Sequence, residues 1–134
     1  MKLQTATRLG LYAALELARD PKRTLSVGEL ASRFDVSAHH LAKVLRTLAS
    51  AGLLEGERGA SGGYRFVGNR KRTTLMDIVA LFEPAPGSRP KEAGEDTDIG
   101  TALRLVLVEI DEIAEATLRS ISLETMLSSV RKSV

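Results

Sequence analysis

The sequence contains no cysteine and no tryptophan, and histidine occurs at only two of its 134 positions. A chain without cysteine cannot form disulfides, thiolate metal sites or cysteine-ligated zinc fingers. It also lacks the thiol that redox chemistry needs, which suits a reducing compartment. These absences exclude disulfide scaffolds, zinc fingers and thiol redox proteins.

Long apolar runs are missing as well, so no segment is long and apolar enough to span a bilayer. The first residues do not form the charged, apolar and small-residue zones of a signal peptide. We therefore expect a cytoplasmic protein without a membrane partner. With 134 residues, of which 43% are apolar, the chain can bury one modest core.

Charge is divided unevenly along the chain. Residues 1–83 contain 13 lysines and arginines against 8 aspartates and glutamates, a net charge of +5, whereas the remainder has a net charge of −3. A basic segment is typical of proteins that bind polyanions, because neutralising phosphates releases condensed counterions. The asymmetry suggests a nucleic-acid partner for the first part of the chain.

Three helices are predicted before residue 52. The segment Leu9–Ala18 carries apolar residues at helical spacing. Ser26 and Glu29 have the spacing of a capping box, which predicts a short second helix that ends near Asp35. Ser37 can cap a longer third helix.

The third helix is expected to run to about Ala51, with Gly52 in the left-handed position that ends it. Its inward side chains would be those of Leu41, Val44, Leu45 and Leu48. The pattern then changes to strands over residues 53–58 and 64–67, with a glycine-rich turn between them. This predicts a glycine-tipped hairpin.

Thr74 and Asp77 predict the start of a further helix through Phe82. Residues 84–98 then contain three of the four prolines, two glycines and mostly polar side chains. Such a segment buries too little apolar surface to order itself strongly. We therefore expect a flexible linker there.

A long helix is predicted from residue 99 onward, because its apolar positions recur at alternating steps of four and three. These seam residues are Ile99, Leu103, Val106, Ile110, Ile113 and Thr117. A helix of about twenty residues extends about 30 Å, more than one face of a small helical head needs. We therefore expect the seam to contact a second copy in a homodimer. A last short helix is predicted over about 123–130.

Helix, short helix, capped longer helix and hairpin follow one another in the order of a winged helix-turn-helix. The predicted fold class is mainly α with a small β-hairpin wing and a long C-terminal dimerisation helix. Its expected parts are a DNA-binding domain over 1–83, the flexible linker over 84–98, and the dimerisation helix with the short terminal helix over 99–134.

In such a fold the longer helix enters the major groove of double-stranded DNA, and the wing can carry a guanidinium to the minor groove. The candidate DNA-binding residues of the helix are Ser37, His39, His40, Lys43 and Arg46, and those of the wing are Arg58, Gly59, Ser61 and Tyr64. A two-fold dimer would present two such helices to successive major grooves, so we expect a palindromic operator.

Other interpretations are weaker. A solvated helix face would account for the basic third helix alone, but the hairpin that follows favours DNA binding. A nucleotide-binding loop is disfavoured, because no Lys-Ser or Lys-Thr pair follows the glycines. His39 and His40 point about 100° apart on a helix and no third histidine exists, which disfavours a metal site. A catalytic triad would draw its base from the same DNA-reading surface, so we expect no enzyme.

Three motifs carry a family resemblance. They read Leu30-Ala31-x-Arg33-x-x-Val36-Ser37-x-x-x-Leu41, then Leu45-x-x-Leu48-x-x-Ala51-Gly52-Leu53-Leu54, and above all Arg58-Gly59-Ala60-Ser61-Gly62-Gly63-Tyr64. With them the sequence resembles the Rrf-two (Rrf2) family, the transcription regulators of the IscR/NsrR type. The similarity covers residues 1–83 by motif and the rest by layout.

The resemblance implies a homodimer crossed at the long C-terminal helix, with the recognition helix in the major groove and Arg58 in the minor groove. The family's usual glutamate in that helix corresponds to Ala42, so this chain lacks the carboxylate that carries that base preference. Many members bind an iron-sulfur cluster through linker cysteines, which this chain lacks. An acidic ligand of some relatives corresponds to Arg8, whose cationic guanidinium cannot replace it.

We therefore expect a cysteine-free member without cofactor or metal. Its function would be that of a sequence-specific regulator, a repressor that binds a palindromic operator as a homodimer. Its signal would be a small molecule, a protein partner, or nothing beyond its own concentration. The alternative is a winged-helix protein-interaction module without specific DNA binding.

Overall fold

The computed structural model of the chain describes residues 1–59 and 62–133. In chain order the elements are α1 (Thr5–Arg19), α2 (Val27–Phe34), α3 (Ala38–Ser50), β1 (Leu54–Glu57), β2 (Gly63–Phe66), α4 (Leu75–Val79), α5 (Asp98–Arg119) and α6 (Leu123–Ser133). We call residues 1–83, from the start of the chain through α4 to Glu83, the head. No helix in the described ranges is long and apolar enough to cross a membrane.

Helix α1 is longer than the predicted Leu9–Ala18, because it begins at Thr5 and ends at Arg19. Its added first turn is fixed by a long-range contact that local spacing does not reveal. The Thr7 side chain is fully buried, and its hydroxyl donates a hydrogen bond to the Glu83 carboxylate after α4. The start of α1 therefore depends on tertiary packing.

The capping signals fix α2 and α3. The Glu29 amide donates to Ser26 Oγ at 3.0 Å, and the Ser26 amide donates to Glu29 Oε1 at 3.2 Å, so the predicted capping box is confirmed. Ser37 caps α3, and Gly52 follows that helix with a φ of +83°. The four apolar residues that we expected on its inner face, Leu41, Val44, Leu45 and Leu48, are all buried.

Strands β1 and β2 form an antiparallel hairpin, with Leu54 opposite Phe66 and Glu57 opposite Gly63. Strand β1 is shorter than predicted and β2 begins one residue earlier than predicted, and Leu54 and Phe66 turn into the core. The hairpin is also joined to the α1–α2 connection through an isolated bridge between Leu25 and Tyr64. Sequence patterns did not predict this bridge.

Helix α4 begins with the predicted capping box of Thr74 and Asp77, but it ends at Val79 and does not continue to Phe82. Two turn hydrogen bonds follow, from the Leu81 amide to the Ile78 carbonyl and from the Phe82 amide to the Val79 carbonyl, both at 3.0 Å. Pro84 disfavours a helical conformation at Glu83, so the chain does not continue as a helix beyond these turns.

Helix α6 extends to Ser133 and packs into the core of the head, where Leu123 and Leu127 are buried. A bridge between Thr74 and Ser122 fixes its start. The sequence grouped α6 with α5 in a separate part over 99–134. In the structure Leu123 and Leu127 of α6 lie in the same core as α1 to α4, and the division of the chain into these parts stays a prediction.

Helix α5 is the exception to this packing, since none of its 22 residues is buried. At about 1.5 Å per residue it extends about 33 Å. Residues 84–98 run along its first half, where Arg104 donates hydrogen bonds to the carbonyl oxygens of Gly87 and Arg89, each at 2.9 Å. These hydrogen bonds hold the segment 84–98 beside α5. That the segment is a flexible linker stays a prediction.

Candidate nucleic-acid interface

The outward face of α3 carries a basic stripe. His39, Lys43 and Arg46 are all exposed, and their spacing of four and three residues places them on one side of the helix. The opposite side holds the core residues that fix the helix to the head. This packing presents the three cationic or hydrogen-bonding side chains together at the surface.

His40 and Ser37 occupy different positions from that stripe. His40 is partly sheltered and lies about 100° from His39 around the helix. The Ser37 hydroxyl oxygen accepts a hydrogen bond from the His40 amide at 3.3 Å, so this side chain serves as the N-cap. Ser37 therefore lies at the N-terminus of α3, the positive end of the helix dipole, which attracts phosphate.

Arg58 follows β1 at the wing and is exposed. Its guanidinium makes no ion pair or hydrogen bond with any residue in the described ranges. Arg65 on β2 differs, because it pairs with Glu55 at 3.4 Å and with Glu57 at 3.3 Å. Of these two hairpin arginines, Arg58 therefore has the guanidinium that is available to a polyanion.

Two glycines shape the wing around this arginine. Gly59 has a φ of +114°, a conformation that favours glycine after β1. A Cβ at Gly63 would lie 2.6 Å from the carbonyl carbon of Leu25, so only glycine allows this close approach. Ser61 was predicted as a DNA-binding residue and lies, with Ala60, outside the described residues.

Tyr64 anchors the wing and is only partly exposed, since it packs against the hydrophobic core. Its amide donates to the Leu25 carbonyl at 2.8 Å, and the Leu25 amide donates to the Tyr64 carbonyl at 3.0 Å. The structure thus gives Tyr64 a supporting position beneath the wing. Its predicted contact with DNA stays a prediction.

A buried carboxylate also orients the head. Glu16 on α1 is 7% exposed, and it pairs with Arg33 of α2 and with Arg23 at 3.5 Å. Arg23 also donates to the Glu16 carbonyl at 2.7 Å. This cluster ties α2 to α1 and so fixes the base of the helix-turn-helix. The sequence signal for it was a charged residue between the apolar positions of α1.

The seam of α5 forms a continuous exposed apolar surface. Exposure of its large apolar residues ranges from 49% at Ile110 to 79% at Ile99, with Leu103, Val106 and Ile113 between these values. Thr117 is exposed too, and its hydroxyl donates to the Ile113 carbonyl at 3.1 Å. Contiguous apolar surface of this kind marks interaction sites.

A comparison with protein families identifies the chain. The Rrf2 family model, described as "Iron-dependent Transcriptional regulator", matches residues 3–129. The chain belongs to the Rrf2 family. The family assignment confirms the resemblance that the wing motif indicated.

Other Rrf2 regulators are similar over nearly the whole chain. BadM of Rhodopseudomonas palustris, named as an HTH-type transcriptional regulator, is 51% identical over 130 residues, which are 97% of this chain and 83% of BadM. CymR of Bacillus subtilis, also named as an HTH-type transcriptional regulator, is 33% identical over 129 residues, which are 96% of this chain and 91% of CymR.

Solved structures agree with the fold. The structure of B. subtilis CymR, described as the global cysteine regulator, superposes with a TM-score of 0.76 at 30% identity and covers 96% of this chain and 98% of that one. The T. potens IscR structure gives a TM-score of 0.78 at 25% identity, covering 99% and 90%. The predicted fold class is therefore confirmed, and this Rrf2 protein is a DNA-binding, winged-helix transcription regulator and not an enzyme.

The iron in the family description does not fit this member. An iron-sulfur cluster needs thiolate ligands in most proteins, and the full sequence has no cysteine. Within residues 1–59 and 62–133 there is also no group of three or more histidine, aspartate or glutamate side chains that could hold a metal ion. The donor set of this Rrf2 chain therefore does not match an iron site.

Proposed function

We propose that this Rrf2 regulator represses transcription by binding a palindromic operator as a homodimer. The observation that carries the proposal is the pairing of two surfaces, the basic stripe of α3 and the unengaged Arg58 guanidinium of the wing. Both are built on buried core residues, so a rigid head supports them.

The roles follow from the chemistry of the side chains. Ser37, His39, His40, Lys43 and Arg46 lie along or beside the exposed face of α3, the helix that enters the major groove in this fold. Lysine and arginine bind guanine edges or phosphates, and histidine can donate or accept at base edges. Arg58 and Gly59 belong to the described part of the wing tip, where a guanidinium suits the negative potential of the minor groove.

The apolar seam of α5 supports the dimer. Five large apolar side chains in water would be an unusual surface for a monomer, and two-fold pairing of α5 covers the same patch on both copies. Two copies place two α3 helices on one face of DNA, which requires an inverted repeat. Repression then needs nothing more than occupancy of a promoter.

The decisive experiment selects bound genomic fragments with the purified protein and then measures operator affinity of variants. We expect Arg58→Ala to abolish specific binding, because it removes the minor-groove cation. Arg119→Ala is the matched control, since it removes the same charge from an exposed position at the end of α5. Specific binding that survives in Arg58→Ala would favour the alternative, a winged-helix module that recruits a protein partner.

A further inference from the structure

A cavity of about 200 Å³ lies between the end of the head, the segment 84–98 and the inner side of α5. Glu83 lines it from the head, and Arg104, Val108 and Asp111 line it from α5. One bound water takes about 30 Å³ of liquid volume, so this space accommodates an organic molecule of several non-hydrogen atoms. The proposed dimer seam lies on another side of α5, which leaves the cavity accessible in a dimer.

The cavity is rich in negative charge. Five carboxylate side chains line it, against three cations, which are the guanidinium groups of Arg89 and Arg104 and the Met1 ammonium group, 4.0 Å from Asp111. Arg104 and Glu95 neutralise each other, because Arg104 donates to Glu95 at 2.9 Å, and Arg104 also donates to two carbonyl oxygens of the segment 84–98. Without this pair, four carboxylates still face two cations. The balance of charge therefore favours a cationic occupant.

A second observation, independent of the charge, points to a hydrogen-bond donor. The Glu83 side chain is 5% exposed, and its Oε2 accepts from the Gln4 amide at 2.9 Å and from the Thr7 hydroxyl. Its other oxygen, Oε1, is buried and accepts no hydrogen bond from the part of the chain that the structure describes. A buried carboxylate oxygen without a donor is unfavourable, so a ligand that supplies one gains binding energy.

The cation that the described residues place next to Glu83 Oε1 is free to move away. Arg89 Nη2 lies 3.6 Å from Glu83 Oε1, beyond hydrogen-bond distance, and the Arg89 side chain is 55% exposed. An exposed arginine loses little when it swings into solvent. A smaller cation can then approach Oε1 more closely than the guanidinium does.

We propose that this cavity binds a small organic ammonium ion, a primary amine with a compact apolar body. The ammonium group donates to Glu83, and the apolar body contacts Val108, Leu107 and the prolines of the segment 84–98. Because Glu83 belongs to the head and Val108 to α5, the ligand bridges the two. A ligand that bridges them changes the orientation of the head relative to α5, and by linkage it then changes operator affinity. This second effect rests on the proposed function.

The binding test uses the full chain without DNA. Butylamine, butanol and butyrate are titrated into the protein, and amide signals are followed by NMR. We expect saturable shifts at Gly87, Arg89 and Val108 with butylamine, weaker ones with butanol, and none with butyrate. Equal binding of the three compounds, shifts confined to other regions, or no saturation would overturn the proposal.

Variants localise the site. Glu83→Gln keeps an oxygen for Gln4 and Thr7 but removes the charge, and we expect it to weaken butylamine binding by about tenfold. Val108→Trp, at a half-buried position, fills the cavity and should abolish binding without touching the core of the head. Glu112→Gln is the control, because this exposed carboxylate of α5 does not line the cavity. Unchanged affinity in Val108→Trp would place the amine elsewhere and overturn the assignment.

The regulatory part is tested with the operator fragment selected as described above. We expect saturating butylamine to change operator affinity of the unmodified protein and to leave that of Val108→Trp unchanged. An amine that binds without changing operator affinity overturns the coupling. If the protein without amine binds no operator at all, the proposed function fails, while the NMR titration still decides whether the cavity is an amine site.

Discussion

Gly63 lies so close to the backbone of Leu25 that a Cβ at this position would be 2.6 Å from the Leu25 carbonyl carbon. The next residue, Tyr64, exchanges two backbone hydrogen bonds with Leu25. The wing is thus fastened to the connection between α1 and α2, and not only to its own strands.

Gly63→Ala should destabilise the protein by about 2 kcal/mol, because an added methyl group forces the wing away from Leu25. Urea unfolding measures the loss. Gly56→Ala is the control on the paired strand, where the new Cβ would meet the Tyr64 ring at an ordinary 3.5 Å. Equal stability of the two variants would mean that the wing does not depend on this approach.

Lys43→Ala should weaken operator binding and reduce its salt dependence, because each phosphate contact contributes about 0.9 to the slope of log affinity against log salt. Fluorescence anisotropy at several salt concentrations gives the slope. Lys91→Ala, an exposed lysine of the segment 84–98 that pairs with Asp96, is the charge-matched control. A flat salt response in the unmodified protein would contradict phosphate binding by the head.

Leu103→Asp and Ile110→Asp should dissociate the proposed dimer, because each would bury an unpaired carboxylate in the α5 seam. Operator binding should fall with dimerisation, since both half-sites are needed. Sedimentation velocity measures the mass. Leu105→Asp makes the same change at an exposed residue off the seam and should leave the dimer intact. A dimer that survives both seam variants would have its interface elsewhere.

Glu16→Gln should cost about 1 to 3 kcal/mol of stability, because the Arg23 and Arg33 guanidinium groups lose their shared carboxylate in a mostly buried site. Thermal unfolding measures the change. Arg19→Ala serves as comparison, since Arg19 is half exposed and lies 3.6 Å from Glu16, a surface pair that contributes little. A larger loss in Arg19→Ala than in Glu16→Gln would contradict this view of the cluster.

The parts of the fold that the sequence predicted best are those with local signals. The capping serines Ser26 and Ser37 and the stop at Gly52 place α2 and α3 within a residue or two, because cap and stop chemistry lies in neighbouring residues. The hairpin was predicted from its glycines for the same reason. The resemblance to the Rrf2 family rested on this local stretch too.

Long-range contacts were not predictable in this way. The early start of α1 depends on a hydrogen bond between Thr7 and Glu83, which are 76 positions apart in the sequence. The apolar positions of α6 predict a buried face, but they do not indicate that the head covers it. The cavity beside Glu83 combines three separated segments, none of which has a binding motif of its own. The exposed stripe of His39, Lys43 and Arg46 could be placed on one side of α3 from helical spacing alone, and the contact of these residues with DNA stays a prediction.

Helix α5 is held at two places, by Arg104 in its first half to the segment 84–98 and, after its last residue, by α6 to the core of the head. A helix attached at two places cannot rotate freely about either attachment. A displacement of the first turns of α5 therefore tilts the whole helix relative to the head, because the helix itself bends little. In a two-fold assembly, such a tilt changes the distance between the two reading helices, and a fixed helical repeat of DNA tolerates little change in that distance.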